Sequence, residues 1–180
     1  MSGAPVQPTL PRHFETAAKL RASPTAAFRY LDDHTRLSAH MGRSSWMMAG
    51  STMTIDADAA GGKAVGSVIR LRGRVLGIGL FVDEVVTDHF PPDHKAWQTI
   101  GTPRLLVIGH YRMGFAITAT GDASVLKVFI DYAAPEAWPA RWLGYLFGRF
   151  YARWCTDTMA HDAAHHFQGA SPSAGRRGRG

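Results

Sequence analysis

The sequence has a single cysteine and lacks any long hydrophobic run. Cys155 has no second cysteine to pair with among the 180 residues, so the chain forms no internal disulfide bond. No run of about 18 apolar residues occurs, so we expect no transmembrane segment. The first five residues, 1–5, show neither the basic segment nor the apolar segment of a signal peptide. We therefore expect a cytoplasmic protein.

Charged residues are also scarce, at 19 % of the chain against 46 % hydrophobic residues. The formal net charge is +6, but Arg176, Arg177 and Arg179 supply half of it from a terminal tract of small residues. The remaining charge is that of an ordinary surface, and no nucleic-acid-binding motif accompanies it. We therefore expect no nucleic-acid partner.

The length fits one domain with a substantial core. Residues 1–11 contain three prolines, and residues 169–180 consist only of Gly, Ala, Ser, Pro and Arg. Such compositions are typical of disordered segments, so we expect 1–11 and 169–180 to be disordered and 12–168 to form the folded domain.

The order of predicted elements defines a fold. Apolar and polar residues alternate over 14–21, which predicts a first strand. Ser23 and Pro24 then predict the start of a short helix over 25–33. A second short helix is predicted over 34–41. Six further strands are predicted between residues 51 and 133 (53–56, 65–71, 76–87, 95–101, 105–120 and 124–132). Beyond Pro135 and Pro139, apolar residues from Trp142 to Met159 recur at helical spacing and predict a long helix of about thirty residues.

This order predicts an α+β helix-grip fold. A curved antiparallel sheet of about seven strands has one apolar face, and only the long C-terminal helix can cover it. The two short helices come after strand one.

Residues 22–33, Ala-Ser-Pro-Thr-Ala-Ala-Phe-Arg-Tyr-Leu-Asp-Asp, resemble the opening of START-like domains, and the order of elements agrees. That superfamily, also called SRPBCC, includes a polyketide cyclase/dehydrase and lipid-transport-like branch that the chain resembles. The resemblance implies a cavity between sheet and helix for a lipid, sterol or polyketide. It does not fix a reaction, because members include carriers as well as cyclases.

Strand alternation and helical spacing predict which residues line that cavity. Aromatic residues and methionines are frequent among them, as in many apolar ligand sites, although each is also a candidate for ordinary core packing. The predicted lining residues are Met53, Ile69, Leu71, Ile78, Leu80, Tyr111, Met113, Phe115, Val128, Ile130, Tyr132, Phe147, Phe150, Tyr151 and Trp154.

Trp46, Met47 and Met48 form an unusual apolar stretch after a loop-like segment. Three interpretations stay open: packing at the base of the sheet, a gate to the cavity, or a surface that touches a membrane or a partner. Arg70, Arg72 and Arg74 alternate outward on their strand, and Arg112 and Lys127 are candidates to extend this stripe. This stripe is either a solvated sheet face or a surface for anionic headgroups.

No motif predicts a cofactor or a metal. His161 and His165 lie one helical turn apart with Asp162 between them, but no third ligand is evident and histidines near a helix C-terminus are favoured by the dipole alone. Gly77 and Gly79 fall within a predicted strand and lack the spacing of a dinucleotide loop. Cys155, on the apolar helix face, is expected to be a buried thiol.

Three functions remain as alternatives. The first is binding or transport of a hydrophobic small molecule without catalysis. The second is a cyclase or dehydratase in which Tyr111, Tyr132, Arg112 or Glu84 moves protons, although no catalytic residue is assigned. The third is a partner-binding or membrane-surface-binding protein with a filled core. The sequence leaves the ligand and the oligomeric state open.

Overall fold

The computed structural model describes residues 9–33, 52–75 and 77–169. Seven antiparallel strands form one sheet, and a helix of 32 residues follows the last strand. The elements in chain order are β1 (Arg12–Leu20), α1 (Pro24–Leu31), β2 (Thr52–Ala57), β3 (Val68–Val75), β4 (Ile78–Phe90), β5 (His94–Arg104), β6 (Tyr111–Thr120), β7 (Ala123–Tyr132) and α2 (Trp138–Gly169). The predicted helix-grip fold is confirmed.

The sheet order is β1-β7-β6-β5-β4-β3-β2. Strands β2 to β7 form a meander of neighbouring antiparallel pairs, whereas β1 joins its far end by pairing with β7. Arg12 lies opposite Tyr132, and Leu20 lies opposite Ser124. The first and last strands of the sequence are therefore neighbours, and α2 packs mainly across these two.

Helix α1 begins and ends as its sequence predicts. The side chain of Ser23 accepts a hydrogen bond from the N–H of Ala26 at 3.3 Å, and Pro24 occupies the first helical turn. At the other end, the N–H of Asp32 donates to the carbonyl of Phe28 at 2.8 Å. The second predicted helix, 34–41, and the Trp46, Met47 and Met48 stretch lie outside the described residues.

The predicted strand over 105–120 is wrong in its first third. Residues 105–110 form a loop, and β6 begins only at Tyr111. In this loop Gly109 donates a backbone hydrogen bond to Ala133 at 2.9 Å, and Ile108 is buried. The apolar residues of the segment pack as a loop against α2, and apolar content alone does not distinguish that from a strand.

The turn between β3 and β4 also differs from the prediction, which placed Gly77 within a strand. Gly77 lies in this turn with a φ of +80°, a left-handed conformation that favours glycine. Strand β4 therefore starts at Ile78. Its alternation still turns Leu80, Val82 and Glu84 to one face of the sheet.

Two apolar clusters pack against the concave face of the sheet. The first lies beneath α1 and the second half of α2 and contains Phe28, Trp97, Phe115, Val128 and Met159. The second lies beneath the middle of α2, where Ala152 and Tyr151 contact residues of β3, β4, β6 and β7. The buried members of that second cluster are Ile69, Leu71, Val82, Val86, Ile108, Tyr111, Ile130, Tyr132 and Ala152.

Candidate functional site

A carboxyl group lies among the apolar residues of the concave face. Glu84 is placed on β4 between Val82 and Val86, and all three side chains are buried. Strand β3 supplies Ile69 directly opposite Glu84. A buried carboxyl group costs free energy unless its oxygens are hydrogen-bonded.

Glu84 accepts two hydrogen bonds from strands across the sheet. The hydroxyl group of Tyr111 donates to Oε1, and the indole N–H of Trp97 is the second donor. Burial raises the pKa of Glu84 from 4.5 to about 7, and the two hydrogen bonds partly oppose that rise. Near neutral pH this carboxyl group can therefore both bind and release a proton.

Tyr111 is held in place by its backbone as well as its hydroxyl group. Its backbone N–H donates to the hydroxyl oxygen of Thr99, Oγ1, at 3.3 Å. This Thr99 oxygen also lies 3.1 Å from Nδ1 of His110. Burial, together with the charge of Glu84, raises the pKa of Tyr111 well above 10. Tyr111 therefore stays protonated and acts as a hydrogen-bond donor.

Helix α2 adds Tyr151 and Cys155 to this region. The thiol of Cys155 and the hydroxyl group of Tyr151 are hydrogen-bonded, and Glu84 also contributes to raising the pKa of Tyr151, after Cys155 and burial. Burial raises the pKa of Cys155 to about 12, so the thiol is protonated at neutral pH and a poor nucleophile. The prediction of a buried thiol agrees with its position.

The predicted lining residues fall into groups of different exposure. Seven are buried: five of them belong to the second cluster, whereas Phe115 and Val128 pack in the first. Leu80, Met113, Tyr151 and Trp154 are half-buried, and Ile78, Phe147 and Phe150 are exposed. The backbone of Met53 pairs with Gly73, and its side chain is outside the part of the chain that the structure describes. The seven buried residues are Ile69, Leu71, Tyr111, Phe115, Val128, Ile130 and Tyr132.

A second buried polar group, which the sequence analysis missed, fastens α1 to the sheet. Nζ of Lys95 lies 2.6 Å from Oδ1 of Asp32, and Nε2 of His89 lies 3.1 Å from the same oxygen. Burial lowers the pKa of Lys95, and Asp32 opposes this effect. The signal in the sequence was the position of Lys95, which shares the inward parity of Trp97 and Thr99.

The histidine pair on α2 does not gain a third ligand. The rings of His161 and His165 are 6.5 Å apart and exposed. Over the described ranges, no group of three or more His, Cys, Asp or Glu side chains is arranged to hold a metal ion. Within the same ranges, no helix is both long and apolar enough to span a bilayer.

The basic stripe on the outer sheet face is partly ion-paired. Arg70, Arg72 and Arg74 are all exposed there, as their alternation predicts. Arg72 lies 2.6 Å from Asp83, and two further pairs, Arg112 with Asp88 and Lys127 with Glu15, lie at 3.1 and 3.3 Å. These carboxylates reduce the field that an anionic surface would meet.

Known structures share this architecture at low sequence identity. The aromatase/cyclase Zhui from Streptomyces sp. R1128 superimposes with a TM-score of 0.61 at 14 % identity, covering 91 % of this chain and 98 % of that one. Truncated norcoclaurine synthase from Thalictrum flavum gives 0.60 at 15 % identity, over 89 % and 94 %. Ara h 8.0201 gives 0.55 at 12 % identity, over 84 % and 97 %.

The chain therefore has the START-like fold that its sequence resembles. No protein-family model matches the sequence, and no curated protein does.

Proposed function

We propose that the protein binds a mainly apolar small molecule against the concave face of the sheet, beside the middle of α2. The observation that carries the proposal is the buried carboxyl group of Glu84, which lies among apolar side chains and is joined to the hydroxyl group of Tyr111. A few polar groups within an apolar site are typical of small-molecule binding sites, because they orient the ligand. The known fold neighbours include a cyclase and a synthase, which agrees with such a use of the fold.

The half-buried residues around Glu84 supply apolar surface for the ligand. Met113, Leu105 and Ile55 border the second cluster, and Tyr151 contacts it from α2. A ligand that buries about 300 Å² of apolar surface gains roughly 7–8 kcal/mol. Association entropy removes part of this gain, so we expect micromolar affinity at best for an unanchored ligand.

Native mass spectrometry of freshly purified protein, followed by titration with fatty acids, sterols and aromatic polyketides, tests this function. We expect one ligand per chain and a change in tryptophan emission, because Trp97 donates to Glu84 and Trp154 lies next to Tyr151. Tyr151→Ala is expected to weaken binding about tenfold through lost contact area. Arg70→Ala on the outer face is the matched control and leaves affinity unchanged. Absence of saturable binding across the panel refutes the proposal.

Acid–base catalysis is the second candidate function, and the pKa of Glu84 favours it. A carboxyl group with a pKa near 7 is well suited to take a proton from carbon next to a carbonyl group and to return it. The test is uptake of solvent deuterium next to the carbonyl of a bound ketone. Glu84→Gln should retain binding and lose exchange. Equal exchange in both proteins would show that Glu84 does not transfer the proton.

A further inference from the structure

The first half of α2 presents large apolar side chains to solvent. Trp142, Leu146 and Phe150 are 60, 70 and 52 % exposed. Successive residues of this set are four positions apart, so they share one face of the helix. Trp138 and Tyr145 add two more exposed aromatic rings to the same half. Contiguous apolar surface of this kind is uncommon on a monomer and marks an interaction site.

Close packing on the opposite face fixes this orientation of α2. Gly144, Gly148 and Ala152, also four residues apart, are buried. A Cβ atom at Gly144 or Gly148 would lie 3.1 Å from the carbonyl oxygen of Val107. Because a side chain at either position would crowd this oxygen, the close packing keeps the side of α2 that bears Leu146 outward.

The same half of the helix is basic. It carries Arg141, Arg149 and Arg153, and no Asp or Glu occurs between residues 138 and 156. Arg153 pairs with Asp157 at 3.2 Å, whereas neither Arg141 nor Arg149 forms an ion pair with any residue that the structure describes. The apolar face is therefore bordered by positive charge that the helix itself does not neutralise.

We infer that residues 138–153 of α2 form a docking surface for an anionic phospholipid bilayer, with the helix lying parallel to the membrane. Trp142, Leu146 and Phe150 would enter the boundary between headgroups and acyl chains, as in interfacial helices. The guanidinium groups of Arg141 and Arg149 would contact lipid phosphates while their aliphatic stems stay beside the apolar face.

Charge favours a bilayer over a second copy of the chain. Two copies joined through this face would bring the arginines of both helices together without any acidic residue of the segment to neutralise them. An anionic bilayer satisfies the apolar side chains and the arginines at once. The basic stripe on the outer sheet face is a weaker candidate, because Arg72 is already paired with Asp83.

The test is flotation of the full chain with vesicles of phosphatidylcholine alone or with one third phosphatidylglycerol, at low and high salt. We expect binding only to the anionic vesicles, weakened by salt. Arg141→Gln with Arg149→Gln should reduce binding about 25-fold, which is about fivefold for each arginine. Leu146→Ser should reduce it about tenfold. All these side chains are exposed, so thermal melts should match the wild type.

The matched control removes the same charge elsewhere. Arg70→Gln with Arg74→Gln, on the outer sheet face, should leave vesicle binding within about twofold of the wild type, because charges away from the docked face are screened. Because Arg176, Arg177 and Arg179 would also attract anionic vesicles, each measurement is repeated with these three replaced by serine. The ranking of the helix variants should persist in that background.

Three results would overturn the inference. The first is that the protein does not bind anionic vesicles. The second is that binding depends on the tail arginines and not on the helix. The third is that the protein is a dimer in solution, which Leu146→Ser dissociates, and does not bind vesicles. Glu84→Gln should not alter vesicle binding. The docking surface and the ligand site can therefore fail independently.

Discussion

The hydroxyl group of Tyr111 on β6 reaches past β5 and donates a hydrogen bond to Glu84 on β4. Trp97 of the intervening strand donates to the same carboxyl group. Three strands thus converge on one buried acid. Because this group titrates differently in the folded and unfolded states, its protonation can be measured through the pH dependence of stability.

Replacing Glu84 with glutamine should change how stability depends on pH. The pKa of Glu84 is about 7 in the folded state and 4.5 in the unfolded chain. Between these pH values the folded state holds a proton that the unfolded chain has released. The wild type therefore loses stability as the pH rises from 4.5 to 7, and loses no more above that range. The full loss is about 3 kcal/mol. Glutamine does not ionise, so the stability of Glu84→Gln relative to wild type should rise by this amount between pH 4.5 and 8, as measured by urea unfolding. A constant difference across that range would contradict the assignment.

Removing either member of the ion pair at the end of α1, Asp32 or Lys95, should cost different amounts of stability. Asp32→Asn leaves the ammonium group of Lys95 buried without its counter-ion, which costs about 3–5 kcal/mol. Lys95→Met should cost less, because Asp32 keeps His89 as a partner and some contact with water. A double-mutant cycle by urea unfolding should give a coupling of at least about 0.5 kcal/mol. Equal and additive losses would show that the pair contributes little.

His13 and Asp131 form a cross-strand pair at the β1 edge, with Nδ1 2.6 Å from Oδ1. The hydrogen bond to Asp131 is the main cause that raises the pKa of His13 above 6.5. Its stabilising effect is therefore complete below pH 6.5 and is lost as the pH rises through the folded-state pKa. His13→Gln should lower the melting temperature at pH 5.5 and have little effect at pH 9. Asp131→Asn should remove the same pH-dependent difference, and a loss that is equal at both pH values would argue against the pair.

Gly144 should not tolerate a side chain. A Cβ atom there would lie 2.5 Å from Cδ of Pro135, whose ring cannot move aside. Gly144→Ala should therefore destabilise the protein by about 1–3 kcal/mol despite the better helix propensity of alanine. Gly79→Ala is the matched control, because its Cβ atom would meet nothing within 4 Å. Urea melts that rank the two variants equally would show that α2 can shift away from Pro135.

The strands that alternate regularly were predictable from the sequence. In β7, Lys127 faces solvent while Leu126, Val128 and Ile130 are buried, and this period of two is a local property that needs no knowledge of neighbours. The 105–110 segment was not predictable in the same way. Ile108 is buried in the cluster beneath α2, while Leu105, Leu106 and Val107 are half-buried. Only the tertiary structure reveals that they belong to a loop and not to a strand.

The candidate site was only partly predictable for the same reason. Periodicity identified α2 as a helix but placed Phe147 and Phe150 in the interior, whereas both are exposed. Glu84 was one of four polar residues considered for proton transfer. Its link to Tyr111 joins residues 27 positions apart, and it follows from strand order and register that local patterns do not contain.

The pairing of β1 with β7 also affects how the chain folds during synthesis. Arg12 and its partner Tyr132 are separated by most of the domain, so β1 leaves the ribosome long before β7 exists. Contacts of such high contact order form slowly, and a waiting strand can pair wrongly. Strand β1 carries His13, Glu15 and Lys19 at alternate outward positions. Charged side chains on an edge strand oppose unwanted pairing, so they should protect the nascent chain from aggregation until its partner strand arrives.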